Sequence, residues 1–325
     1  MKRREWLLAA AAVAATPLLH AQALRLRRVA LGIPGAPDTA IGAPGIVKKR
    51  LEELGWVEGR TIEYAIGYAY DDASRWEPMA VELLAQKPDV LLMVFGSMAL
   101  AAMKHTKDVP IVFAATSNPE KAGLVASLAK PGGNVTGVST RELELLGKRI
   151  ELMREITPGL RRIAVLVNSN APVISDSYVG NYTEHARRLG IEVKAYDAKS
   201  AAELRPAFDR MRRDRMQGLL TVADTFQFRV REELAAQAAR VRLTAVHVGS
   251  EFVEAGGLSS FGTNRPDQLR RAADYVDKIL RGAKPADLPV QEPTNFQLAI
   301  NLKAAREQGI KFPQSILVRA DQVIE

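Results

Sequence analysis

The sequence predicts an α/β protein made of two doubly wound lobes, each built on a parallel sheet. Three observations predict it. Short runs rich in valine, isoleucine and leucine alternate with longer amphipathic stretches, the pattern of repeated βα units. That alternation begins again after Thr157-Pro158-Gly159, so two sheets are expected rather than one. The chain is also long enough: about 302 residues follow the first 23, in a sequence that is 47% hydrophobic, sufficient to fill two cores of ordinary size.

The chain opens with Lys2, Arg3 and Arg4, continues through an apolar stretch over residues 6–19, and reaches the small-x-small site Ala21-Gln22-Ala23. That order reads as a secretory signal peptide over residues 1–23, with a mature chain beginning near Leu24. Arg3-Arg4 fits either a general secretory signal or a twin-arginine one. No later segment approaches the roughly 20 apolar residues of a membrane helix, so no membrane insertion of the mature chain is expected. First-lobe strands are expected at 27–33, 61–68, 89–94 and 109–114, with helices near 41–54, 76–86 and 98–107. Gly55 and Lys87-Pro88 stop two of those helices, since glycine relieves the left-handed C-terminal position and proline cannot continue the ladder. The second series places strands at 162–167, 191–196, 218–222 and 244–248, and helices centred on Arg187, Phe208 and Ala236. A long helix at 266–281, a proline-rich segment at 284–293 and a final βα unit at 295–308 complete the pass.

Composition removes whole classes of chemistry. There is no cysteine, hence no disulfide, no thiolate metal site, no cysteine nucleophile and no lipid attached through one. The net charge of +8 falls to +6 without the leader, and its arginine pairs are scattered along helix faces, which reads as solvated surface and not as a nucleic-acid site. Gly32-Ile33-Pro34-Gly35 lacks the glycine spacing that lets a backbone approach a pyrophosphate, and no phosphate-binding loop motif occurs. Phe95-Gly96-Ser97-Met98-Ala99 puts a serine at a strand-to-helix turn without the second glycine of a nucleophile elbow, and helix N-capping is the commoner role of such a serine. After the leader the histidines are His105, His185 and His247, none paired at metal-ligand spacing. His247 ends a strand, where it either lines a cleft or is structural. No cofactor and no metal are expected.

The most specific blocks lie in the last third: Glu251-Phe252-Val253-Glu254-Ala255-Gly256-Gly257-Leu258, then Ala272-Ala273-Asp274-Tyr275-Val276-Asp277-Lys278-Ile279-Leu280-Arg281-Gly282-Ala283-Lys284-Pro285, then Arg319-Ala320-Asp321-Gln322-Val323-Ile324. Upstream stand Leu54-Gly55-Trp56-Val57-Glu58-Gly59-Arg60 and Lys130-Pro131-Gly132-Gly133-Asn134-Val135-Thr136-Gly137. Together they resemble the ABC transporter substrate-binding family that includes the tryptophan/tyrosine-type binding proteins, over nearly the whole mature chain. The resemblance implies a periplasmic-binding-protein type I-like fold with three crossovers between lobes. On that analogy, residues 24–139 plus 266–283 form lobe 1, residues 140–265 plus 284–325 form lobe 2, and the hinge lies near 139–140, 265–266 and 284–285. It further implies a periplasmic protein that is not an enzyme. Such a protein captures a small molecule, an amino acid or related zwitterion, for an inner-membrane permease and its cytoplasmic ATPase. A periplasmic sensor feeding a membrane signalling protein would use the same cleft. An exported α/β enzyme would need a nucleophile, base and oxyanion donors converging there, a set the sequence does not present.

In open parallel sheets ligands sit beyond the carboxyl ends of the strands. That places the site in the loops at 34–38, 95–97, 115–118, 168–170, 223–226 and 249–252. Gly96 and Ser97 stand at a helix N-terminus, whose free amides and positive partial charge favour a carboxylate. Thr116 and Asn118 add hydrogen bonds from the same lobe, Ser250 offers one from the other, and Asp224 suits an ammonium group. Phe95, Phe226 and Phe252 either cover an apolar ligand face or belong to the core.

Overall fold

The computed structural model describes residues 26–37, 42–170 and 172–325. The expected leader with its cleavage site, and Asp38 of the expected cleft, lie outside the described residues. In chain order the first lobe runs β1 (Arg27–Ile33), α1 (Ala43–Glu53), β2 (Ile62–Tyr68), α2 (Trp76–Ala85), β3 (Val90–Phe95), α3 (Gly96–Met103), β4 (Ile111–Thr116) and β5 (Val135–Ser139). These strands form one parallel sheet in the order β2-β1-β3-β4-β5. Because α1 and α2 flank it and α3 follows β3, residues 90–94 are buried throughout, which explains an apolar run without alternation.

The second lobe follows with α4 (Leu145–Ile156), β6 (Arg162–Val167), α5 (Pro172–Arg187), β7 (Glu192–Asp197), α6 (Ala201–Arg213), β8 (Gly218–Leu220), α7 (Thr225–Arg229), α8 (Arg231–Arg240), β9 (Thr244–His247), α9 (Ser250–Glu254) and β10 (Ser259–Gly262). After α10 (Arg265–Leu280) come β11 (Gln297–Asn301), α11 (Leu302–Gln308), α12 (Gln314–Arg319) and β12 (Gln322–Ile324). Its sheet has the order β12-β11-β10-β9-β8-β6-β7, parallel except where β11 runs antiparallel to β10. The α/β class with two doubly wound, parallel-dominated sheets is therefore the observed one. Strands β5, β10 and β12 are not among those read from the sequence. They are three to five residues long and carry Ser, Thr, Gly and Gln where a buried run of branched residues gives the signal.

Helix α10 follows the strands of the second lobe in sequence yet packs on the first. Leu269, Ala272, Ala273, Val276, Ile279 and Leu280 form its buried stripe against β3, β4 and β5, at the spacing of one helix face. Arg50 Nε donates to Asp274 at 2.8 Å and Trp56 Nε1 to Asp277 at 2.8 Å, pinning the helix from α1 and the turn behind it. The proline-rich segment differs from expectation. Thr136 Oγ1 donates to the Leu288 carbonyl, the Val290 amide to Leu128, and Gln291 bridges Val138, so residues 285–291 lie on the first lobe. The third passage between sheets thus falls between Gln291 and β11, later than 284–285, because the segment satisfies its backbone groups at the edge beside β5. Among the described residues no helix is long and apolar enough to cross a membrane.

Candidate ligand-binding cleft

Beyond the carboxyl ends of both sheets lies a cavity of about 830 Å³ lined from the two lobes. The first lobe contributes the turn at 71–74, Trp76, Phe95, Gly96, Ser97 and the loop from Ala115 to Asn118; the second contributes Asn168, Tyr178, Ala223, Asp224, Phe228 and Glu251. Thr140 and Glu142 enter from the first crossover, and Arg265 and Gln268 from the start of α10.

Of the residues singled out from sequence, Phe95, Gly96, Ser97, Thr116, Asn118 and Asp224 stand on this wall. Ser97 is not an N-cap: Phe95 holds that position without a side-chain hydrogen bond, and Ser97 is the exposed second residue of α3. Gly96 is required by closeness, since a Cβ there would lie 2.7 Å from Thr116 Oγ1 and 2.8 Å from Leu124 Cδ1. Asn118 turns its carbonyl to the Lys121 amide at 3.0 Å, which closes its own loop.

Phe226 and Ser250 are not on the wall. The segment expected as loop is the short helix α7, capped by Asp224, and residues two apart on a helix point to opposite sides. Phe226 therefore enters the second core at 3% exposure, and Phe228 takes the place at the cavity. On α9 the neighbouring residue takes the place, and Glu251 reaches the cavity instead of Ser250. Phe252 is fully buried, stacked on His247 with ring centroids 4.8 Å apart, and His247 is equally buried and away from the cleft.

Asp224 is 3% exposed and does two jobs at once. Its Oδ1 accepts the Gln227 amide at 3.2 Å as the cap of α7, and both oxygens lie 3.3 Å from Asn168 Nδ2. Burial pushes its carboxyl above the ordinary range and the charge of Asp71 adds to this, against the hydrogen bonds from Asn168, Gln227 and Phe226. Across the cleft, Asp71 pairs with Arg229 at 3.0 Å and so ties the first lobe to α7. A carboxyl raised by folding costs stability when ionised and regains it as pH falls through its raised pKa. Asp224→Asn, which keeps the cap, is accordingly expected to unfold at higher urea than the unsubstituted protein at pH 7. That gain should vanish toward pH 4, and a variant weaker at both pH values would refute the electrostatic account.

Several buried polar atoms on the wall have no hydrogen-bond partner among the described residues: Trp76 Nε1, Glu251 Oε1 and Gln268 Nε2. Unpaired groups of this kind are costly in a finished core and informative in a cavity, where a ligand supplies the missing bonds. Beneath them Glu142 Oε1 lies 2.5 Å from Nη1 of the wholly buried Arg149. Arg149 also donates Nε to the Phe261 carbonyl at 2.7 Å, joining the first crossover to the strand that precedes the second. Sequence reasoning missed Glu142, Gln268 and Arg265 because they stand on helices and crossovers, not in strand-end loops; Glu251 lies within the expected segment 249–252, where Ser250 was singled out in its place. One local signal existed for Arg265: it opens a helix, the end whose partial charge disfavours a cation.

Comparison with known proteins agrees with this architecture. Residues 39–324 match the family described as ABC transporter substrate binding protein. The tyrosine-binding protein of Clostridioides difficile (strain R20291) is 26% identical over 277 residues, covering 84% of this chain and 79% of that one. A conserved domain protein of Vibrio cholerae superimposes with a TM-score of 0.82 at 26% identity, over 92% of this chain and 100% of the other. An ABC domain of Streptococcus pneumonia solved in complex with L-Trp gives a TM-score of 0.77 at 27% identity, with the same coverage. With the match running from the first helix to the last strand, through both lobes and all the crossover segments, the chain belongs to the ABC transporter substrate-binding protein family.

Proposed function

We propose that this protein is the periplasmic solute-binding component of an ABC importer and that its solute is an amino acid with an aromatic side chain. The observation that carries the reading is the composition of the interlobe cavity. Trp76, Phe95, Tyr178 and Phe228 supply flat apolar surface, while Asp224, Glu251 and Arg265 supply both signs of charge. A zwitterion with an aromatic ring is the ligand class complementary to that combination, with its ammonium toward Asp224 and its carboxylate toward Ser97 and the first amides of α3. The names of two relatives support the same class, one a tyrosine-binding protein and one solved with L-Trp. In this reading the lobes close about the three crossovers, near 139–142, 264–265 and 291–297, bury the ligand and create the surface a permease recognises.

The test is a melting curve of protein unfolded and refolded to remove carried-over ligand. It is recorded with L-tyrosine, L-tryptophan, L-phenylalanine, aliphatic and acidic amino acids, sugars and nucleosides. A ligand at 100 times its Kd stabilises the native state by about 2.7 kcal/mol. At about 2–4 °C per kcal/mol for lobes of this size, the midpoint should rise by roughly 5–11 °C with an aromatic amino acid. A rise with a sugar or nucleoside alone would replace the proposal with another solute class.

A further inference from the structure

Arg265 is the first residue of α10, at the second passage of the chain between lobes. Its guanidinium carbon lies 5.3 Å from the ring centroid of Phe95, the last residue of β3 in the first lobe. The same carbon lies 4.5 Å from the centroid of Phe228, on α7 of the second lobe. The group lines the cavity, and no hydrogen bond or ion pair joins it to another described residue. Burial pulls its pKa down, and the charge of Glu251, another residue of the cavity wall, acts against this.

A guanidinium largely withdrawn from water and held in no ion pair is destabilised. Its position adds to that cost, because the N-terminal end of α10 carries positive partial charge. The two ring contacts offset part of that cost and supply no anion. The same wall carries the first turn of α3, whose capping residue, Phe95, offers no side-chain acceptor to the free amides. Two independent positive features, a fixed cation and a helix N-terminus, therefore adjoin through Phe95.

We infer that Arg265 receives the anionic group of the ligand, a carboxylate, and that by standing between Phe95 and Phe228 it couples this recognition to closure of the lobes. The inference rests on the cavity being an amino-acid site, and it adds that the acid group is obligatory. Closure holds one ring from each lobe against one side chain, and an anion bound to that side chain relieves the cost of withdrawing it from water. A neutral ligand of the same shape would leave the penalty in place.

The full chain, refolded free of ligand, is titrated by calorimetry with L-tyrosine and L-tryptophan and with their amides and decarboxylated amines. The unsubstituted protein is expected to prefer each acid over its amide by about 100-fold, the usual consequence of leaving a buried charge unpaired at an interface. In Arg265→Met the acid and the amide should bind within a few-fold of each other, and Arg265→Lys should keep part of the preference. A second readout needs no ligand: Arg265→Met should melt at or above the unsubstituted protein, because it removes a cation held in no ion pair among the described residues. A fall of several degrees would show Arg265 to be a structural bridge and overturn the inference. Equal binding of acids and amides by the unsubstituted protein would overturn it while leaving an amino-acid-derived ligand in place. Binding of neither would overturn both this inference and the proposed function.

Discussion

Glu142→Ala is expected to lower the unfolding free energy by about 3–5 kcal/mol, the usual result of stranding one charge of a buried pair. Arg149 has no exposed surface, and its guanidinium is held by Glu142 at 2.5 Å, by the Phe261 carbonyl at 2.7 Å and by Tyr182 Oη at 3.4 Å. Burial lowers the pKa of Arg149 while the charge of Glu142 and its hydrogen bond raise it, so removing the carboxylate leaves the burial penalty unopposed on a guanidinium whose very high intrinsic pKa keeps it charged. At about 2–4 °C per kcal/mol, the melting midpoint should fall by roughly 6–20 °C. The double variant Glu142→Leu with Arg149→Met removes both charges and should recover most of the loss, since residues in direct contact are not additive. A single-variant cost below about 1 kcal/mol would mean that water reaches Arg149 and that the pair is not sealed.

The second large effect is one of pH. His247 is fully buried, stacked on Phe252, and neither ring nitrogen has a hydrogen-bond partner among the described residues. Burial drives its pKa down from 6.5 to about 3, and the positive charge of Arg149 acts in the same direction. The sign follows from proton counting: between those values the unfolded chain binds a proton that the folded chain refuses, so stability falls as pH falls. Each pH unit is worth about 1.4 kcal/mol, so acidification from about pH 6.5 to pH 3 should remove on the order of 5 kcal/mol through this group. His247→Leu, similar in volume and without a proton to gain, should flatten the pH dependence of urea unfolding over that range. An unchanged slope would assign the acid sensitivity to the carboxylates instead. This residue also bears on function, because a strand-end histidine invites a role in the cleft, yet the chain has folded it into the core behind Gly257.

The two-lobed α/β class was legible from periodicity and from the restart after residue 157, because strands buried on both faces must be written as short apolar runs. The position of the cleft followed from the same rule, since loops at the carboxyl ends of parallel strands converge there. Phe95, Gly96, Ser97, Thr116, Asn118 and Asp224 stand on the cavity wall for that reason. Strands β5, β10 and β12 were not legible. Their short, polar sequences become strands only because a neighbouring strand offers a free edge.

Tertiary structure alone decided the rest. Whether Phe226 or Phe228 faces the cavity depends on one turn of helix that begins at Asp224, and no periodicity is readable in five residues. Glu142, Gln268 and Arg265 reach the cleft because the chain passes between lobes at those points, and a crossover has no local signature. That Arg149 finds Glu142 and, 112 residues away, the Phe261 carbonyl is likewise a product of tertiary folding. Local propensity and hydrophobic period act over a few residues and so determined fold class and strand ends. Which charges are buried together, and which are left without a partner, is set by contacts between distant segments, and those exist only once both lobes have formed.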